Sequence, residues 1–203
     1  MYEKRNKYLL KKKWLIDATI STNPYSKGGI LMGKKIVISF PGSRGYEIPL
    51  LYFSSKHFED IGYEKLFISH PDSGEITYEM LYERTERIIQ SIAFEEYENI
   101  VFIAKSIGTV VACKIKEIYK IPASLILFTP LNDTLPYINN KNDVHLISAG
   151  ENDRYLDSTT LRELCEKESI KYYIEPNVGH RMEVKGDLRR NLEIIFNVIS
   201  EMA

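Results

Sequence analysis

From Lys35 onward the chain alternates two kinds of apolar pattern. One is short and continuous: Ile36-Val37-Ile38-Ser39-Phe40, Lys65-Leu66-Phe67-Ile68, Asn99-Ile100-Val101-Phe102-Ile103, Ser124-Leu125-Ile126-Leu127-Phe128, Val144-His145-Leu146-Ile147 and Tyr172-Tyr173-Ile174. Runs of β-branched and aromatic residues without polar alternation read as strands covered on both faces. The other kind is longer and periodic, spanning about Ile48 to Ile61, Thr77 to Phe94, Gly108 to Tyr119, Ser158 to Glu168 and Gly186 to Met202. In the second of these, Met80, Leu81, Thr85, Ile88 and Ile89 recur at helical spacing while Glu83, Arg84, Glu86 and Arg87 face away. In the last, Leu188, Leu192, Ile195, Val198 and Ile199 form the apolar stripe. Strand and helix in alternation predict an α/β fold, a mostly parallel twisted sheet with helices on both faces and right-handed crossovers. Trp14 to Ile20 and Gly28 to Met32, joined by the turn-rich Ser21-Thr22-Asn23-Pro24-Tyr25, are expected to form an antiparallel lead-in.

Composition narrows the class. With 203 residues, 44% of them hydrophobic, the chain can bury enough apolar surface to offset the entropy of ordering, so intrinsic disorder is excluded and one domain spanning 1–203 is expected. Two cysteines, Cys113 and Cys165, are too few for a disulfide scaffold and read as buried apolar thiols of a reducing compartment. The formal charge of -1 hides an uneven distribution, because Lys4, Arg5, Lys7, Lys11, Lys12 and Lys13 sit together and leave an acidic remainder. An acidic body argues against nucleic acid as a partner. The basic run reads as an exposed edge strand whose lysines discourage edge pairing, with an anionic lipid surface or RNA as the alternatives. Tyr8-Leu9-Leu10 is cut off by Lys11-Lys12-Lys13, so it is no secretory core, and no stretch approaches a membrane span. A cytoplasmic protein is expected.

Sheets of this kind bind ligands at the carboxyl ends of their strands. The third run leads into Ala104-Lys105-Ser106-Ile107-Gly108-Thr109, after which a helix starts at once. A strand, a sharp turn with serine at its apex and a helix require small residues two before and two after, and Ala104 and Gly108 meet that demand. The hydroxyl then stands at a helix N-terminus, where negative charge developing in acyl transfer is favoured. Ser106 is therefore the candidate nucleophile, with an ordinary N-cap serine as the plainer role.

Such a serine needs a base. Of four histidines, His57 falls in a helix and His145 in a strand, whereas His180 stands in Pro176-Asn177-Val178-Gly179-His180-Arg181 after the last strand, with Gly179 permitting a close backbone approach. His70, just ahead of Pro71, is the reserve. The carboxylate that orients the base is expected to be Asp153, in Ala149-Gly150-Glu151-Asn152-Asp153-Arg154, with Asp133 the runner-up. Helix capping or solvation accounts for Glu151 and Asp157. Two amides must face the oxyanion: that of Ile107, and one from Phe40-Pro41-Gly42-Ser43-Arg44-Gly45-Tyr46, with Ser43 first and Arg44 second. The latter stretch lacks the Gly-Lys-Ser/Thr end of a phosphate loop.

With these residues in place the sequence resembles the α/β-hydrolase superfamily, in its small members without a cap domain. The resemblance runs from about Trp14 to the C-terminus and rests on Pro-Gly-Ser-Arg-Gly, Ala-Lys-Ser-Ile-Gly, Gly-Glu-Asn-Asp and Gly-His, in the family's order of serine, acid, histidine. Three features depart from it: Ala104 where glycine is usual, Lys105 beside the nucleophile, and Phe-Pro-Gly in place of His-Gly. Caps are usually inserted after the strand ending near Phe128, and Thr129 to Asp143 is too short for one. The resemblance implies a serine hydrolase with an open site, acting on a small-molecule acyl ester or thioester, with Gly42, Arg44 and Lys105 as candidate substrate contacts. It also implies no cofactor and no metal, and the histidine and cysteine spacing suggests no zinc site. A peptidase, a lipid-directed hydrolase or an acyltransferase would use the same residues, and a non-catalytic binding protein would retain the fold. Either a monomer or a homodimer is compatible with the sequence. Specificity is expected from the loops around Tyr46, Pro71-Asp72-Ser73, Tyr137 and Tyr155.

Overall fold

Each continuous apolar run becomes a strand in the computed structural model, which describes residues 33–43, 48–69 and 76–202. The strands are β1 (Lys34–Phe40), β2 (Glu64–Phe67), β3 (Tyr97–Lys105), β4 (Ala123–Phe128), β5 (Val144–Gly150) and β6 (Tyr172–Glu175). The periodic segments become α1 (Pro49–Asp60), α2 (Tyr78–Ile89), α3 (Ile107–Tyr119), α4 (Ser158–Glu168) and α5 (Leu188–Ser200). Among the described residues the sheet has the order β2-β1-β3-β4-β5-β6 and every pairing is parallel. The antiparallel lead-in, the basic run, Arg44, Tyr46, His70 and Pro71-Asp72-Ser73 lie outside the described residues.

Side chains alternate across a strand, and both sides of this sheet are covered. Ile36, Ile38, Phe40, Phe102, Ala104, Leu125 and Leu127 pack into one core, to which α3 contributes Val111, Ala112 and Ile115, α2 Leu81 and Ile89, and α4 Leu161 and Cys165. Val37, Val101, Ile103, Ile126 and Phe128 pack into the other, with Leu50, Leu51 and Phe58 of α1 and Ile194 and Val198 of α5. Three layers with two cores explain why the strands show no polar alternation. Both cysteines are buried, and desolvation pushes the Cys113 thiol up to about 12 and Cys165 up to about 11.

Two helices differ from the sequence pattern. The second was expected to reach Phe94 and ends at Ile89, because Ser91 donates both its N–H (3.0 Å) and its hydroxyl (2.7 Å) to the Ile88 carbonyl and closes the ladder. In α5 Val198 is buried and Ile195 and Ile199 pack against the core as the pattern predicts, but the other buried position is Ile194, while Leu188 is 72% and Leu192 53% exposed, in line with exposed Phe196. At the start of the helix, spacing alone does not decide whether Leu188 and Leu192 or their neighbours turn inward. Polar pins choose between them: Asn191 accepts from the Val184 N–H (2.6 Å) and donates to the Val184 carbonyl (3.1 Å), and Arg190 pairs with buried Glu175 at the end of β6.

Two features of the topology position the site. The chain steps from β1 out to β2 and then back across to β3, so the carboxyl ends of β1 and β3 flank a point where strand order reverses. Between β4 and β5 there are only two short 3-10 turns, Asn132–Tyr137 and Asn140–Asn142, and no cap is present. Among the described residues no helix is long and apolar enough to cross a membrane.

Candidate active site

β3 runs directly into Ser106, whose N–H still bonds the Phe128 carbonyl (3.0 Å) before α3 begins at Ile107. The turn holds Ser106 at φ 54°, ψ -126°, a left-handed conformation costly for a residue with a Cβ. Its surroundings over-determine it. A Cβ on Gly108 would lie 2.5 Å from the Phe40 carbonyl oxygen and 2.6 Å from that of Pro41, so only glycine lets α3 approach β1 this closely. Thr109 donates its N–H (2.9 Å) and its hydroxyl (2.6 Å) to the Ser106 carbonyl, and that hydroxyl also meets Thr134 (2.7 Å). Ser106 makes no side-chain cap bond to α3. Its Oγ lies 2.8 Å from His180 Nε2 instead.

The other imidazole nitrogen, Nδ1, lies 2.7 Å from Asp153 Oδ2. The Asp153 side chain is 1% exposed, and its Oδ1 accepts from the Tyr155 N–H at 2.9 Å. An ionised carboxylate only accepts, so the Nδ1 proton donates to Asp153 and Nε2 is left to accept from the serine hydroxyl. Asp133 is exposed, in the 3-10 turn after β4, and the carboxylate bonded to His180 is that of Asp153. Asp157 caps α4 by accepting from the Thr160 N–H (2.7 Å), which lowers its pKa, and Glu151 accepts from the Asn177 N–H (3.0 Å).

The loop carrying His180 is fastened backbone to backbone. Glu151 N–H donates to the Glu175 carbonyl and Asn152 N–H to that of Val178, both at 2.9 Å. Val178 and Met182 anchor the loop in the core shared with α1 and α5. The close approach here falls to Gly150, where a Cβ would lie 2.2 Å from the Val178 carbonyl oxygen. The sequence had suggested Gly179, where it would meet Asn152 only at 3.5 Å.

Ser43 lines the same cleft as Ser106, and Ile107 follows the serine as the first residue of α3. The Ile107 N–H, in the first turn of α3, has no intrahelical acceptor. Gly42 packs against the serine, a Cβ there lying 3.1 Å from that of Ser106. Gly42, Ser43, Ser106, Tyr155 and His180 line a cleft of about 500 Å³. Lys105 touches the same cleft but is 2% exposed, and its ammonium donates to Thr129 Oγ1 (3.0 Å) and to the His180 carbonyl (3.2 Å). Tyr155 stands edge-on to the His180 ring at 4.6 Å, with the Arg154 guanidinium over its far side. Tyr137 instead packs on the α3 side of the sheet. The cleft also holds Arg154, Arg181 and Glu183, which no sequence motif singled out beyond their adjacency to Asp153 and His180. No group of His, Cys, Asp and Glu that could hold a metal occurs among the described residues.

A parallel sheet of this order, with serine at the turn after β3, acid after β5, histidine after β6 and nothing inserted after β4, is the α/β-hydrolase fold in its capless form. Solved structures share it. An α/β serine hydrolase homologue from Coxiella burnetii superposes with a TM-score of 0.65 at 13% identity, covering 92% of this chain and 91% of that one. Est1E from Butyrivibrio proteoclasticus, determined with ferulic acid bound, gives 0.64 at 12% identity over 92% and 93%. An α/β serine hydrolase without a lid from Xanthomonas campestris gives 0.61 at 11% identity over 91% and 85%. No family model and no curated protein matches the chain in sequence.

Proposed function

We propose that the protein is a serine hydrolase that cleaves a small or exposed acyl ester or thioester. The observation that carries this reading is the single imidazole bonded at once to Ser106 Oγ and to buried Asp153, with the serine held in a strained turn at the N-terminus of α3. Ser106 Oγ attacks the acyl carbon as its proton passes to His180 Nε2, and Asp153 stabilises the imidazolium. The Ile107 and Ser43 amides receive the oxyanion. As the tetrahedral species collapses, His180 returns the proton to the departing alcohol or thiol. Water, deprotonated by the same imidazole, then releases the acid and restores the serine. The capless fold and the open cleft favour substrates whose acyl bond is accessible without a closing lid, and the similar structures, an esterase-named protein among them, support hydrolysis as the chemistry.

A fluorophosphonate probe tests the reading. The folded protein is expected to carry one adduct on Ser106, absent from Ser106→Ala, and to turn over short-chain esters or thioesters in an acyl-length series. Well-folded protein with no adduct on Ser106 would leave a binding protein built on the same fold.

A further inference from the structure

Strand alternation places Lys105 on the same side of the sheet as Val101 and Ile103, beneath the loop that carries His180. A buried ammonium is costly unless bonded, and a methionine of similar length would fill the same space without that cost. The acceptors it has are specific. One is Thr129 Oγ1, after β4, on a residue whose own backbone is left-handed (φ 43°) and tied to the Ser148 carbonyl at 2.6 Å. The other is the carbonyl of His180 itself.

We propose that Lys105 is a positioning residue: its ammonium ties the backbone of His180 to the end of β4, so that the imidazole stays between Ser106 Oγ and Asp153. The catalytic half of this inference rests on the reading of those three residues as a triad. The strand that presents the nucleophile thereby also holds the base, through the residue immediately before the serine. Burial pushes the Lys105 ammonium down to about 8, opposed by the carboxylates of Asp153, after β5, and Glu183, beyond the histidine loop. His180 and Arg181 are the ionisable side chains on that loop itself. The tie is at full strength well below pH 8 and weakens through and above it as the donor loses its charge.

Lys105→Met, Thr129→Val and wild type are compared in three measurements: ester kinetics against pH, fluorophosphonate labelling rate, and hydrogen exchange of the loop amides, with Met182 N–H, which bonds Gly179 at 2.9 Å, as the main probe. In Lys105→Met, kcat and labelling rate should fall about 10- to 100-fold with KM little changed. Loop exchange should accelerate at least tenfold, and the alkaline loss of activity expected of wild type should disappear. Thr129→Val removes one acceptor of the charged form, so its alkaline limb should move to lower pH; it serves alone if Lys105→Met does not fold. Wild-type labelling together with wild-type exchange in Lys105→Met overturns the inference. Slower turnover with unchanged exchange overturns it equally, since Lys105 would then act without holding the loop. Should wild type itself fail to label, the hydrolase reading fails separately, and exchange still decides: faster in Lys105→Met supports the tie, equal exchange refutes it.

Discussion

The proposed nucleophile and the proposed base are held in place by different physics. Ser106 is fixed by sterics and local backbone bonds: Gly108 lets a helix touch the Phe40 and Pro41 carbonyls, and Thr109 fastens the Ser106 carbonyl three residues away. His180 is fixed by partners distant in sequence. These are Asp153, the Lys105 ammonium, the backbone bonds from Glu151 and Asn152, and the pair that half-exposed Arg190 of α5 makes with buried Glu175. A position enforced by hard contacts fails by unfolding, whereas one enforced by polar bonds fails by loss of alignment in a folded protein.

Substitutions on each side can break that contrast. The largest effect is expected from Asp153→Asn, which leaves the fold intact but presents the wrong tautomer, lowering kcat on the order of 10³- to 10⁴-fold; Asp133→Asn, on an exposed turn, should leave ester turnover unchanged. Next, Gly108→Ala drives a methyl into backbone oxygens that cannot yield and should cost about 3 kcal/mol or more in urea unfolding. Gly150→Ala meets the more displaceable histidine loop and should lose activity about 10²-fold for a smaller loss of stability. Equal stability losses in the two glycine variants would erase the distinction.

Lys105 gives a subtler test. The unfolded lysine keeps its proton to about 10.5, while burial lowers the folded value to about 8. Between those values the unfolded state binds more protons, so wild-type stability should rise with pH relative to Lys105→Met, by roughly 2–3 kcal/mol, over a range in which activity declines. Opposite trends in stability and activity would mark a residue kept for alignment. The smallest effect is expected from Leu192→Ser on the outer stripe of α5, within about 0.5 kcal/mol by thermal unfolding.

The same division explains what could be read from the sequence. Continuous apolarity announced every strand because both faces of the sheet are covered, and the serine turn was readable because its steric demands fall on Ala104 and Gly108, adjacent in the chain. The loops carrying Asp153 and His180 were readable by position, since each follows a strand. What holds them was not. The partners of Lys105 were not readable, because no local pattern reveals an acceptor 75 residues away. Gly179 drew attention for standing beside the histidine, while the close contact belongs to Gly150, whose partner lies on another strand's loop. In α5 the stripe held for Ile195, Val198 and Ile199 but not for Leu188 and Leu192, because Asn191 and Arg190, polar residues that periodicity disregards, pin the first turns.

The chain order of the strands has a consequence for how the protein acquires its site. Ser106 and His180 are 74 residues apart, and the histidine loop hangs from β6, a four-residue strand that pairs only with β5 among the described residues. The serine turn can form once β1, β3, β4 and α3 have assembled, but its partner arrives only when the edge strand docks. On the proposed triad, recovery of activity during refolding is expected to report docking of β6, and a chain with its central strands already in register is expected to be inert.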